Sequence, residues 1–99
     1  MKVNITSVHF KTDKKLEDFI QNKMEKLNGF YEGIIGGDVI LKLEKKEKEG
    51  NKIAEIKLKI PGNDLYAKKQ SKTFEQATDS AIEALKKQLT KHKEKIKGN

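Results

Sequence analysis

The densest run of chemically capable side chains is Lys86-Lys87-Gln88-Leu89-Thr90-Lys91-His92-Lys93-Glu94-Lys95-Ile96-Lys97. At about 100° per residue, Lys87, Lys91 and Lys95 fall at successive i, i+4 steps along one edge of a helix, and Lys86, Lys93 and Lys97 line the other. Only Glu94 offsets them locally. Rows of ammonium groups bind phosphates by releasing condensed counterions, and like charges at i, i+4 destabilise a helix unless an external counter-charge answers them. Lysines near a helix C-terminus also complement the macrodipole, each by roughly 0.3–1 kcal/mol, but six of them exceed that need. The 22 basic residues of the 99-residue chain are all lysine, and the formal net charge is +7. Without arginine, bidentate reading of guanine edges is excluded, so the expected partner is a polyanion recognised through backbone and shape.

Other reactive types are sparse. Lys23 points between Phe19 and Leu27, inside an apolar stripe, and Lys26 borders it; a snorkelling stem is the structural account of Lys23, a second cationic helix the functional one. His92 lies on the apolar side of its helix above Leu85 and Leu89, with His9 its only companion, and the chain has no cysteine. That set makes a zinc site a weak proposal. Asp79 reads as a surface cap or ion-pair partner. Tyr31 and Tyr66 suit packing better than base stacking, because the strands carry no cluster of aromatics. Gly36-Gly37 and Gly62 read as turns without a phosphate-loop lysine-serine pair. No hydrolase motif occurs. The expectation is therefore a protein that is not an enzyme, with no cofactor, no metal and no small-molecule substrate.

The elements that must position these lysines follow from hydrophobic period. A hydrophobic fraction of 34% against 37% charged demands economical placement, one apolar face per element, and 99 residues suit a single domain spanning 1–99. Val3, Ile5 and Ser7 alternate as a first strand. From Thr12, an expected N-cap, Leu16, Phe19, Ile20, Met24 and Leu27 share one helical face, with Gly29 placed to stop it. Val39, Leu41 and Leu43 alternate, as do Ala54, Ile56, Leu58 and Ile60, with Lys45 to Lys52 linking the two strands. Pro61-Gly62-Asn63-Asp64 is turn chemistry leading to a fourth strand through Leu65 and Ala67. Thr73 and Gln76 have capping-box spacing before a long helix with the stripe Phe74, Ala77, Ala81, Ile82, Leu85, Leu89 and Ile96. The order β-α-β-β-β-α predicts a two-layer α+β fold, a four-stranded, mostly antiparallel sheet with two helices on one face. A helix from Thr73 to Lys97 would run roughly 36 Å against roughly 23 Å for a seven-residue strand, so its last turns should overhang the sheet. The N-terminus has neither a signal-peptide pattern nor a membrane span.

With these elements in place, Gln88-Leu89-Thr90-Lys91-His92-Lys93-Glu94-Lys95-Ile96-Lys97, together with Asn4-Ile5-Thr6, Lys23-x-x-Lys26-Leu27 and Leu41-Lys42-Leu43-Glu44-Lys45, resembles the short ribosome hibernation promoting factors and the related ribosome-associated inhibitor. The likeness covers nearly the whole chain. It implies a cytoplasmic protein, monomeric off the ribosome, that binds 16S ribosomal RNA of the small subunit between head and body and blocks translation by occluding the messenger and transfer RNA sites. The residues it points to are Lys23 and Lys26 on the first helix and Lys87, Lys91, Lys93 and Lys95 on the second. Lys86 and His92, in or beside the same motif, complete the candidate RNA-contacting set. The chain departs from the family's Asp-x-Tyr-x-Ala-x-Asp run, of which Ala77 and Asp79 remain, and has Ala84 where some relatives have lysine. It resembles the short branch, without the C-terminal dimerising domain of the long factors. Two other roles fit the same residues: a general double-stranded RNA-binding module, and a protein-interaction module with an acidic partner.

Overall fold

Alternation of buried and more exposed side chains, broken at a few neighbours such as Ile53 and Ala54, writes the sheet, and 3.6-residue stripes write the two helices that cover it. The computed structural model describes residues 1–46 and 49–96, with side chains as far as Lys93. The elements are β1 (Lys2–Ser7), α1 (Lys14–Phe30), β2 (Gly36–Leu43), β3 (Lys52–Ile60), β4 (Asn63–Ser71) and α2 (Phe74–Ile96). Strand order is β1-β2-β3-β4, parallel for β1 with β2 and antiparallel for the other two pairs. A helical crossover brings β1 and β2 parallel, and short connections make the rest a meander.

One face of the sheet is the core. Val39 and Leu41, Ala54, Ile56 and Leu58, and Leu65 and Ala67 are buried there against Ile20, Met24 and Leu27 of α1 and Phe74, Ala77, Ala81, Ile82, Leu85 and Leu89 of α2. Each large aliphatic side chain fully withdrawn from water contributes about 1.5–3 kcal/mol. The register Leu58↔Leu65, Ile56↔Ala67, Ala54↔Lys69 puts Lys69 on this same face at the open edge of β4. Ile60 and Asn63 close the last hairpin around Pro61-Gly62 with Gly62 at φ 78°, the residue types and backbone of a type II turn.

Four local expectations need correction. The N-cap of α1 is Asp13, whose carboxylate accepts from the Leu16 N–H at 2.7 Å, whereas the Thr12 hydroxyl is engaged with the Glu17 carboxylate. Asp and Thr are both good caps, and the one three residues before the free amide takes the role. Gly29 does not stop the helix, which runs to Phe30 and ends on the extended Tyr31. Gly36 and Gly37 are not a turn but the first residues of β2, buried where a side chain would not fit: a Cβ on Gly37 would lie 2.5 Å from Met24 Cε, and one on Gly36 2.9 Å from the Lys2 carbonyl oxygen. Glycine here lets α1 lie close on the sheet. The fourth strand runs well beyond Leu65 and Ala67, to Ser71. The cap of α2 is as expected, the Gln76 N–H donating to Thr73 Oγ1 at 3.0 Å.

Candidate nucleic-acid interface

Charge on α2 is sorted along its axis. Glu75, Asp79 and Glu83 occupy the first half, and Lys86, Lys87, Lys91 and Lys93 the second, which complements the macrodipole. Leu89 is the last buried apolar side chain described, and the exposed Lys91 and Lys93 follow it. The C-terminal part of α2, as far as its side chains are described, is therefore cationic.

The two expected edges face different neighbours. Lys93 reaches α1, its ammonium donating to the Phe30 carbonyl at 2.9 Å and lying 4.8 Å from the Phe30 ring centroid and 5.8 Å from that of Tyr31. The other edge faces β4, where Gln88 Nε2 donates to the Tyr66 carbonyl at 2.9 Å. Lys87 borders a groove with Lys69, Ser80 and Ala84, and Lys91 borders one with Asn63, Leu65, Gln88 and His92. A third groove, lined by Glu83, Lys86, Lys87, Thr90 and Lys91, crosses the outward side of the helix and joins the edges. The cations thus occupy the outward half of α2 rather than one narrow seam.

Several of these lysines have internal partners. Lys23 emerges from the apolar stripe with its side chain 31% exposed and meets Asp79 of α2 at 3.0 Å, 5.5 Å from the Phe19 ring centroid. Its stem snorkels, and Asp79 is an ion-pair partner across the helix–helix contact. Lys86 sits 3.4 Å from Glu83. Lys26, Lys87 and Lys91 are exposed, and among the described residues none has a carboxylate within ion-pair distance. His92 is half-buried, edge-on to Tyr31 at 5.9 Å. The Lys95 side chain, like that of Ile96, and the whole of Lys97 lie outside the described residues.

The opposite face of the sheet is different. Lys42 pairs with Glu55 at 2.7 Å, and Lys57 with Asp64 and Lys59 with Asp38 at 3.5 Å each. The Asn4 amide and then Lys59 hold the Asp38 carboxyl below its ordinary range, and Lys42 does the same for Glu55. The Tyr66 hydroxyl donates to Glu55 at 2.8 Å, which raises the phenol's pKa, while its ring stays 52% exposed. Three of the lysines on that face are thus paired, while Lys2 on β1 and Lys68 on β4 stay exposed without an ion pair among the described residues.

Among the described residues no group of three His, Asp or Glu side chains is arranged to hold a metal ion, and no helix is long and apolar enough to cross a membrane. Two features escaped the sequence reading. Lys69 shares its face with Leu65 and Ala67 by simple alternation, a signal present in the sequence, whereas the exposed Phe30 becomes visible only through its contact with Lys93.

The family described as sigma 54 modulation protein / S30EA ribosomal protein matches residues 3–97. The chain is 33% identical over 97 residues to the ribosome hibernation promoting factor of Klebsiella oxytoca, covering 98% of each. It is 31% identical to that of Escherichia coli strain K12 over the same shares. A ribosomal subunit interface protein from Coxiella burnetii superposes with a TM-score of 0.84 at 22% identity, over 94% of this chain and 98% of the other. The N-terminal domain of Thermus thermophilus Protein Y gives 0.80 at 20% identity, over 93% and 99%. At that identity the two structures speak to fold alone.

Proposed function

This chain belongs to the sigma 54 modulation protein / S30EA ribosomal protein family, and from that membership we propose that it is a ribosome hibernation factor. It acts as one ribosome-binding domain over residues 1–99, laying the cationic side of its helices on 16S ribosomal RNA of the small subunit. There it occupies the messenger and transfer RNA sites by bulk. It is not an enzyme, and it stays in the cytoplasm as a monomer until it meets a ribosome.

The observation that carries this proposal is the run of ammonium groups on α2. Lys87 and Lys91 stand exposed one turn apart without a carboxylate partner among the described residues, and Lys26 of α1 is exposed and unpaired likewise; on the open sheet face Lys42, Lys57 and Lys59 are paired, and the unpaired Lys2 and Lys68 lie apart on its two edge strands. Lys87 and Lys91 are one turn apart on a rigid helix, so their positions are fixed before binding and little backbone order is lost on contact. Lysine supplies point charges without base reading, which suits a folded RNA recognised by its phosphates.

Occlusion is tested by competition on purified small subunits. Protein that co-sediments with them should be displaced by messenger and initiator transfer RNA bound together, and should inhibit translation in a purified system until those ligands are in excess. Unchanged co-sedimentation under saturating messenger and transfer RNA contradicts occlusion. Displacement by naked RNA duplex as effective as by free subunits would favour a general double-stranded RNA-binding module instead.

A further inference from the structure

Helix α1 ends without a basic residue in its last turn, and its final N–H to carbonyl bond runs from Tyr31 to Leu27 at 2.9 Å. Carbonyls in such a turn lack intrahelical donors and carry the negative end of the helix dipole. One of them, that of Phe30, receives the ammonium of Lys93 from 63 residues further along the chain. The same ammonium lies over the Phe30 and Tyr31 rings, and His92 meets Tyr31 edge-on. Four groups from two helices therefore converge where α2 passes the end of α1. A lysine turned outward to phosphate would not be folded back onto a carbonyl and two rings.

Resting on the ribosomal RNA reading, we propose that Lys93 is a positioning residue whose ammonium caps α1 and pins the C-terminal part of α2, so that phosphates are met from the other edge by Lys87, Lys91 and Lys69. Lys69 enters because its position on β4, on the helix side of the sheet, sets it across a groove from Lys87. Asp79 and Glu83 border the same groove, but Lys23 and Lys86 answer them. The cations left without a described partner there are Lys69 and Lys87.

The two roles separate in one experiment on the full chain: affinity for purified small subunits across a potassium chloride series, with thermal unfolding of each variant. Lys91→Gln and Lys69→Gln should each reduce the slope of log affinity against log salt by about 0.7–0.9, the loss of one phosphate contact, and leave Tm unchanged. Lys93→Met should keep the wild-type slope, lower affinity by a similar factor at every salt concentration, and drop Tm by about 2–8 °C. Amide exchange at Tyr31 should quicken, and Lys93→Arg should restore Tm and exchange. If Lys93→Met unfolds the chain, Lys93→Gln decides, since its neutral amide can still donate to the Phe30 carbonyl: a cap predicts the wild-type salt slope, and a slope reduced like that of Lys91→Gln overturns it. A Lys93→Met slope reduced like that of Lys91→Gln at unchanged Tm overturns the positioning role, and an unchanged Lys69→Gln slope overturns the assignment of Lys69. Failure of the wild-type chain to bind would sink the ribosomal reading itself, a result distinct from binding whose slopes do not sort.

Discussion

Gly37→Ala tests how α1 is seated. Gly37 is buried in β2 opposite Val3 and Leu58, and the added methyl would lie 2.5 Å from Met24 Cε but at ordinary distances, 3.6 and 3.7 Å, from the Lys57 carbonyl oxygen and Leu58 Cδ1. Its φ lies outside the left-handed region, so alanine brings no backbone strain, and the whole penalty falls on Met24, which is fully buried. Overpacking a core costs about 1–3 kcal/mol, toward the lower end where a flexible methionine can change rotamer. Restricting the unfolded chain returns about 0.4–1 kcal/mol. The net loss should be about 1 kcal/mol, which lowers Tm by about 4–8 °C in a domain this size. The decisive comparison is with Met24→Ala, which alone should cost about 2–5 kcal/mol. In that background the alanine methyl at position 37 enters vacated space, so Gly37→Ala should be neutral or stabilising by urea denaturation. Equal costs of Gly37→Ala in the two backgrounds would refute the claim that this contact decides the fit.

Three further outcomes follow from named contacts. Asp13→Ala should remove the α1 cap and cost about 1 kcal/mol in chemical denaturation, whereas Thr12→Ala should cost less. Thr78 is fully buried with no described hydrogen-bond partner for its hydroxyl, so Thr78→Val should raise stability by about 1 kcal/mol, read as a higher Tm. Because Glu55 and Asp38 are held below their unfolded values, their contribution to stability is present above about pH 4 and is lost as pH falls through the folded values; Glu55→Gln should flatten that acid limb in denaturation measured against pH. Tyr66 has the opposite sign: its raised value means a contribution present below about pH 10 and lost as the phenol ionises beside Glu55.

Period and turn chemistry were enough to read the six elements, since alternation in β2 and β3 and the stripes of both helices as far as Leu89 coincide with the observed core, Leu43 at the end of β2 being the exception because it is exposed. What escaped was decided by contacts distant in sequence. Gly36-Gly37 resembles a turn locally, and only the approach of Met24 explains two glycines at a strand start. Gly29 resembles a stop, yet the helix continues to Phe30, where Lys93 caps it from the far end of the chain. The lysine rows on α2 were legible because a helix is periodic. Their division into partnered and unpartnered groups was less so: Glu83 lies three residues from Lys86, but the pairing of Lys23 with Asp79 depends on how the helices pack. Lys69 could have been read from the alternation of Leu65 and Ala67, had strand β4 been carried past Ala67.

The central claim is that the helix side, not the open sheet, meets ribosomal RNA. The chain has no cysteine, so one introduced thiol gives a single attachment point for a hydroxyl-radical source. Thr90→Cys on the outward side of α2 and Thr6→Cys on β1, exposed on the open face, form a matched pair. Bound to small subunits, the probe at position 90 should cut 16S ribosomal RNA strongly along the messenger and transfer RNA path, and the probe at position 6 weakly or not at all. Strong cutting from position 6 with little from position 90 would contradict the account.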